Sequence, residues 1–195
     1  FALDRSSLKV ARERQRELQR WSNIIAANIF KVLRLLARQL EAAETARFAK
    51  TISSLQEISE SVRDVVLRSY VHVSNNHSGL LDSQKAELER MQEIVDDILG
   101  RASETMTQRA RPDHQGVADL LRALRELVHD FDQNQIERIQ DNRSKTRLSI
   151  LSYSLAWDYL KIGEQTANLL TVFEDPFRPT ADGDDRGAAS VDIPA

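Results

Sequence analysis

Residues 146–173 read TRLSILSYSLAWDYLKIGEQTANLLTVF, and apolar side chains, with one threonine among them, recur every three or four positions throughout. The members of this stripe are Leu148, Leu151, Leu155, Tyr159, Ile162, Thr166, Leu169 and Phe173. Because an α-helix turns once in about 3.6 residues, the stripe lies on one helix face that must be buried against other helices. The segment predicts a long core helix that ends before Pro176.

Four earlier segments show the same periodicity. The first carries an apolar stripe that we expect to be buried, widened by Phe30 and Leu33: Leu18, Trp21, Ile25, Ile29, Val32, Leu36 and Leu40. The second has Phe48, Ile52, Leu55, Val62, Val65 and Val66, and the third has Leu88, Met91, Val95 and Ile98. The fourth runs through Val117, Leu120, Leu124, Leu127, Phe131 and Ile139. Each stripe predicts an amphipathic helix.

Turn signals separate most of these helices. Asn75 to Gly79 and Pro112 to Gly116 form two clear breaks, because asparagine and glycine tolerate left-handed backbone angles and proline cannot continue a helix. A polar stretch from Asp141 to Ser144 allows a hairpin into the fifth helix. Between the first and second stripes, a bend and one continuous helix are both open, since neither glycine nor proline marks a break.

Composition agrees with an all-helical protein. The chain has 195 residues, of which 41% are hydrophobic and 29% charged, with only six glycines and four prolines. We therefore predict an all-α fold, an antiparallel bundle of about five long helices spanning residues 1–175. Residues 176–195 are too polar to offset their ordering entropy, and we expect them to form a disordered acidic tail.

The sequence lacks the usual signatures of catalysis. There is no cysteine, which excludes disulfides and thiol nucleophiles, and no serine elbow, phosphate loop or dinucleotide fingerprint occurs. We expect a non-enzymatic protein, with a metal-dependent enzyme as an open alternative.

No apolar run approaches the roughly 18–20 residues of a membrane span, so we expect this segment to be soluble. Because it begins at Phe1, we also expect it to be part of a longer protein.

The first helix is strongly basic. Residues 5–38 contain nine Lys and Arg residues against the two acids Glu13 and Glu17. Such a helix can lie beside an anionic membrane surface, and a solvated helix face is the alternative. Nucleic acid is not an expected partner, because acids interrupt the arginines and no recognition motif accompanies them.

Two sets of residues are candidate metal ligands. Glu89 and Glu93 stand four residues apart on the third helix, so they share a face and can offer oxygens to a divalent cation. His129 with Asp130 or Asp132 is a second candidate. A solvated acidic face and a surface or packing histidine are the corresponding alternatives.

Two segments carry a family resemblance. Residues 160–169 read LKIGEQTANL and resemble the repeated signature of PhoU-like domains, usually written L-E-R-I-G-D-H-A-x-N-I. Residues 88–98, LERMQEIVDDI, are similar to a looser copy, about 70 residues earlier, as an internal duplication would place it. Residues 135–139, QIERI, and 146–151, TRLSIL, are similar to the stretch before the second signature in bacterial sodium/phosphate cotransporters. The resemblance covers roughly residues 4–175.

The resemblance implies a function and a site. It implies the cytoplasmic regulatory or scaffold domain of a sodium-dependent phosphate transporter, on the cytoplasmic side of the bacterial inner membrane, with a transmembrane domain of the same chain upstream. A homodimer is a further implied partner. In the family an acidic pair binds metal, which implies a divalent or iron-type ion at Glu89 and Glu93; in the second copy Leu160 leaves Glu164 alone.

The resemblance also implies packing roles. It gives Gly163 the role of allowing close helix packing and Asn168 that of a hydrogen bond across the bundle, and we expect Tyr153 and Trp157 in the core. Two alternatives to the transporter domain stay open. One is a stand-alone PhoU-like phosphate regulator, and the other is a signalling helical bundle, such as a receptor coiled coil or a kinase dimerisation module, which would form a parallel homodimer.

Overall fold

The computed structural model describes residues 5–36, 42–77, 79–108 and 111–172. They form five α-helices and, within these ranges, no strand: α1 (Arg5–Leu36), α2 (Ala42–Ser74), α3 (Asp82–Gln108), α4 (His114–Gln140) and α5 (Thr146–Val172). The all-α prediction is confirmed. The predicted tail, residues 176–195, lies outside the described residues, as does the connection at 37–41.

Both asparagine-containing turns adopt left-handed backbone angles. Asn76, between α2 and α3, has φ 52°, and Asn142, between α4 and α5, has φ 56°. Asparagine adopts this region more easily than most residues. The predicted breaks at these two places are therefore confirmed.

Helix α5 lies at the centre of the bundle and packs on α2, α3 and α4, whereas α1 packs on α2 alone. The α2–α5 pair is antiparallel, since the Lys50 Nζ donates to Thr171 Oγ1 at 2.8 Å near one end and Arg68 binds Asp158 at 2.5 Å near the other. Helices α1 and α2 also fold back on each other. The Ser59 Oγ donates to Gln19 Oε1 at 3.0 Å, although the two residues are 40 positions apart along the chain. They are two packed helices and not one rod.

The core lies between α3, α4 and α5. The predicted stripe of α3 is fully confirmed, with Leu88, Met91 and Ile98 completely buried and Val95 nearly so. On α5 every described member of the predicted stripe is buried, and Phe173 lies outside the described residues. These two helices run parallel because α4 returns the chain between them.

Helix α1 is present as predicted, but the prediction that its apolar stripe is buried is wrong. Trp21 is 55% exposed, and Leu18, Ile25 and Val32 are also exposed, while Ile29 is half-buried. The residues that face α2 are small, with Ser22 and Ala26 buried. Small side chains let two helix axes approach closely, so they displace the larger stripe toward solvent. The side chain of Leu36 and residue Leu40 are outside the described part.

On α4 the burial of Val117, Leu124 and Phe131 is confirmed, but the other positions of the predicted stripe differ. Leu121 and Val128 are buried where Leu120 and Leu127 were expected, and the latter two are half-buried. At the last turn Ile139 is exposed, because Arg138 takes the inward position.

Two aromatic residues of α5 were expected in the core. Tyr153 is half-buried, with its ring edge-on to Phe131 at 5.9 Å. Trp157 is 54% exposed, so its assignment to the core is wrong.

Gly163 allows close packing, as expected. A Cβ atom at this position would lie 2.9 Å from Leu124 Cδ2, so the neighbour is a side chain of α4. Asn168 does not bond across the bundle, since its Nδ2 donates to Gln165 Oε1 within α5 at 3.3 Å. Gln165 makes the crossing contact instead, accepting from Ser54 Oγ at 3.1 Å.

Two glycine substitutions test this packing. Gly100→Ala is expected to raise the free energy of unfolding by about 0.5–1 kcal/mol, because a Cβ there meets nothing and alanine favours the helix. Gly163→Ala has the same advantage in helix propensity, but its Cβ compresses Leu124. We therefore expect the free energy of unfolding not to rise, and to fall by up to about 2 kcal/mol. Urea denaturation followed by circular dichroism measures both. Equal gains would contradict the close contact.

Candidate functional site

The structure places Glu89 and Glu93 on the solvent side of α3, and both are exposed. Glu93 lines an open groove of about 310 Å³ between α3 and α4, together with Arg90, Glu126 and Asp130. Over the ranges that the structure describes, no group of three or more histidine or carboxylate side chains is arranged to hold a metal ion. Metal binding at the Glu89 and Glu93 pair stays a prediction.

Glu164 lies on a different pair of helices. Its Oε1 accepts hydrogen bonds from Arg125 Nε at 3.0 Å and Nη2 at 2.8 Å, which joins α5 to α4. The carboxylate thus already has a cationic partner. The structure gives Glu164 a helix-joining role and does not bring it into a described cluster with Glu89 and Glu93.

The histidine candidate lies farther along α4. Asp132 is half-buried, and burial raises the pKa of its carboxyl above the usual range, partly offset by the charge of His129. The backbone oxygen of Asp132 accepts a hydrogen bond from the Tyr153 hydroxyl at 3.3 Å. His129 and Asp130 are both exposed. His129 lies close enough to Asp132 to act on its carboxyl, but no third described ligand joins them.

Metal analysis distinguishes which of the three glutamates bind a metal ion. We expect Glu164→Ala to leave the metal content of purified protein unchanged, because Arg125 already binds this carboxylate. Metal held by the acidic pair would be lost in both Glu89→Ala and Glu93→Ala, because neither carboxylate alone suffices. Plasma mass spectrometry of protein prepared without chelators checks this. Loss of metal in Glu164→Ala would contradict the assignment.

A buried polar cluster lies where α3 begins, α4 ends and α5 begins. Gln84, Gln135 and Ser152 are completely buried. Gln84 Nε2 donates to Gln135 Oε1 at 2.8 Å, and Gln135 Nε2 donates to Ser149 Oγ at 2.9 Å. Gln84 Oε1 also accepts from the Leu81 backbone N–H at 3.0 Å. Three helices and one turn are thus joined by hydrogen bonds, and the bonds from Gln84 to Gln135 and from Gln135 to Ser149 are buried.

An ion pair extends this cluster toward the surface. Arg138 Nη2 donates to Glu87 Oε1 at 2.6 Å, and Asn134 Nδ2 donates to the same oxygen at 2.9 Å. The Arg138 side chain is only 8% exposed, and its Nη1 also donates to Gln135 at 3.3 Å. Hydrogen bonds to charged groups are stronger than those between neutral groups.

Sequence reasoning missed the polar cluster. Its signal was present, because Gln135 and Arg138 continue the buried positions Leu124, Val128 and Phe131 of α4 in steps of three and four. A polar residue in phase with a core stripe indicates a buried hydrogen-bonded group. The prediction instead followed the apolar side chain of Ile139.

A second candidate site is a groove of about 460 Å³ between the end of α2 and the start of α5. Its floor is apolar, with Val71, Ile150 and Leu151, and His77 and Arg147 lie at one end. The rings of His72 and His77 lie 5.3 Å apart, and His77 Nε2 is 3.4 Å from Arg147 Nη1. No carboxylate lines the described groove, so its chemistry suits an anionic ligand with an apolar part.

Fold and sites define this protein as an all-α five-helix bundle, held at one end by a buried polar cluster and carrying an apolar groove with Arg147 at one end. No protein-family model matches the chain, and neither the curated proteins nor the solved structures contain a significant match. None of the described helices is both long and apolar enough to cross a membrane.

Proposed function

We propose that this chain is a regulatory or scaffold domain of a sodium-dependent phosphate transporter, on the cytoplasmic side of the membrane. The observation that supports this is the position of the signature-like segment on α5. Ile162, Gly163 and Leu169 are buried on the one helix that contacts α2, α3 and α4. A sequence signature at these positions would set how four helices pack, which is a structural role.

The buried cluster supports a role without catalysis. The hydroxyl groups of Ser149 and Ser152 bond to glutamine side chains and donate to the backbone oxygens of Lys145 and Ser149, respectively. A nucleophilic serine needs a general base within hydrogen-bond reach, and a glutamine amide is not one. The cluster thus has the chemistry of a structural network.

The helix directions favour this function over a signalling module. A receptor or kinase dimerisation module would place long helices parallel across two chains, whereas α1 with α2, and α4 with α5, are antiparallel within one chain. The α4–α5 pair buries apolar side chains of both helices within one chain, without a second copy. A stand-alone phosphate regulator would have the same bundle, so it is the second candidate.

The test uses the gene that encodes the chain. We expect the full-length protein to give sodium-dependent uptake of radiolabelled phosphate, and deletion of residues 5–172 to leave uptake active but unresponsive to external phosphate. Phe131→Ala, which damages the core, should reproduce the deletion, and Trp157→Phe should behave as wild type. A full-length protein without sodium-dependent uptake would overturn the transporter proposal, and one without any hydrophobic span would favour the stand-alone regulator.

A further inference from the structure

Helix α1 exposes an unusual amount of apolar surface. Half of the large apolar side chains that are exposed in the described residues belong to this one helix. Leu35 is 74% exposed and Trp21 55%. The whole set comprises Val10, Leu18, Trp21, Ile24, Ile25, Phe30, Val32 and Leu35. Contiguous exposed apolar surface of this kind marks a site of interaction with another molecule or a membrane.

The helix has three distinct faces. At about 100° per residue, Ser22 and Ala26 define the face toward α2, and Trp21, Val32 and Leu35 centre on a direction about 120° away from it. We call this second face the outer apolar face; it comprises Val10, Leu18, Trp21, Ile24, Ile25, Val32 and Leu35, and the exposed Arg14, Glu17 and Asn28 interrupt it. Phe30 lies on neither of these two faces.

Exposed cations occupy the third face. Arg16, Arg20, Lys31 and Arg34 are all exposed and fall together, roughly 120° from the outer apolar face on its other side. The arrangement of a Trp- and Leu-rich face beside a Lys- and Arg-rich face is typical of helices that lie in the plane of a membrane interface.

The bundle leaves the outer apolar face accessible. In the described part of the chain α1 packs on α2 and on no other helix, so it forms the edge of the molecule. Its apolar face points away from α2, and no described helix packs on it. A flat surface can therefore approach along the length of α1 without displacing any other helix.

We propose that α1 docks on the surface of a bilayer that contains anionic lipids. Trp21 and Leu35 enter the boundary between headgroups and acyl chains, and Arg20 and Lys31 contact the anionic headgroups. The proposal goes beyond the phosphate-transport function and rests only on the surface of α1. Its physical basis is the burial of apolar side chains together with attraction between basic residues and anionic lipids.

Charge favours a membrane over a second copy of the chain. Residues 5–38 carry nine basic side chains and two acidic ones, so the net charge of this segment is 9 − 2 = +7. Pairing two outer apolar faces would bring two such helices side by side, and like charges at close range repel. Anionic headgroups instead complement the same residues.

Tryptophan fluorescence gives a direct measurement. The chain contains two tryptophans, so Trp157→Phe leaves Trp21 as the only reporter. We expect its emission to shift to shorter wavelength on adding phosphatidylcholine vesicles that contain phosphatidylglycerol. Binding to pure phosphatidylcholine should be at least about tenfold weaker, and salt should weaken the anionic interaction.

Vesicle sedimentation of the 195-residue chain tests the face itself. Trp21→Glu with Leu35→Glu should abolish binding, and Arg20→Glu with Lys31→Glu should weaken it at least about tenfold. The matched control is Ile136→Glu with Ile139→Glu, which puts the same two charges on apolar side chains of α4 that are 44% and 46% exposed, and it should bind as wild type. Circular dichroism confirms that each variant is folded.

Three results would overturn the proposal. The first is failure of the wild-type chain to bind anionic vesicles, or an equal loss of binding in the Ile136→Glu with Ile139→Glu control. The second is a dimer in sedimentation equilibrium that Leu35→Glu dissociates, which would make a second copy the occupant of the face. The third is Trp21 emission that already lies at short wavelength without vesicles and moves to longer wavelength when residues 173–195 are deleted. That result would make the deleted segment the occupant of the face.

Discussion

Phe131→Ala is expected to lower the free energy of unfolding by about 3–5 kcal/mol, because the side chain is completely buried and its removal leaves a cavity. The ring lies edge-on to Tyr153 and beneath the Arg138 guanidinium, whose centre is 5.9 Å from the ring centroid. Its loss removes contacts to both α5 and the buried ion pair. Urea denaturation followed at 222 nm measures the change.

Trp157→Ala is the matched control for this substitution. It removes a still larger aromatic side chain, but one that is 54% exposed, so we expect a loss below about 1 kcal/mol. Comparable losses in the two variants would contradict the placement of Trp157 at the surface. They would also restore the sequence-based assignment of Trp157 to the core.

Glu87→Ala is expected to cost about 3–5 kcal/mol, because it leaves the buried Arg138 guanidinium without its carboxylate partner. Asn134 loses its acceptor in the same substitution. The cost comes mainly from the uncompensated charge, since Arg138 is 8% exposed and water reaches it poorly. Denaturant unfolding at neutral pH measures it.

Two controls accompany this prediction. Glu164→Ala breaks the pair with Arg125, which is 56% exposed, and should cost at most about 1 kcal/mol and less at high salt. Replacing both buried partners, with Glu87→Leu and Arg138→Met, should be less destabilising than Glu87→Ala alone, because no charge is left unpaired. Similar small losses for Glu87→Ala and Glu164→Ala would contradict the burial of Arg138.

Helix content could be predicted well because it is local. The stripes of α3 and α5 were identified correctly, since their apolar residues step by three and four along one unambiguous face. The turns at Asn76 and Asn142 followed from the backbone preferences of asparagine. The antiparallel direction of α4 and α5 then followed from the short connection between them.

The candidate sites were predicted less well because they depend on contacts between distant residues. The carboxylate of Glu164 was a potential ligand in the sequence, and the fold gave it Arg125, which lies 39 residues away along the chain. Gln84 and Gln135 are 51 residues apart, and nothing local indicates that they share a hydrogen bond.

The sequence by itself determined that this protein is helical and where its central helices begin and end, because backbone preference and periodicity act over a few neighbouring residues. Only the tertiary structure decided which face of α1 is buried. That helix has an apolar stripe around Trp21 and a face of small residues around Ser22 and Ala26. The small residues face α2 because they permit close approach, and the large ones are left at the surface, where we propose that they meet a membrane.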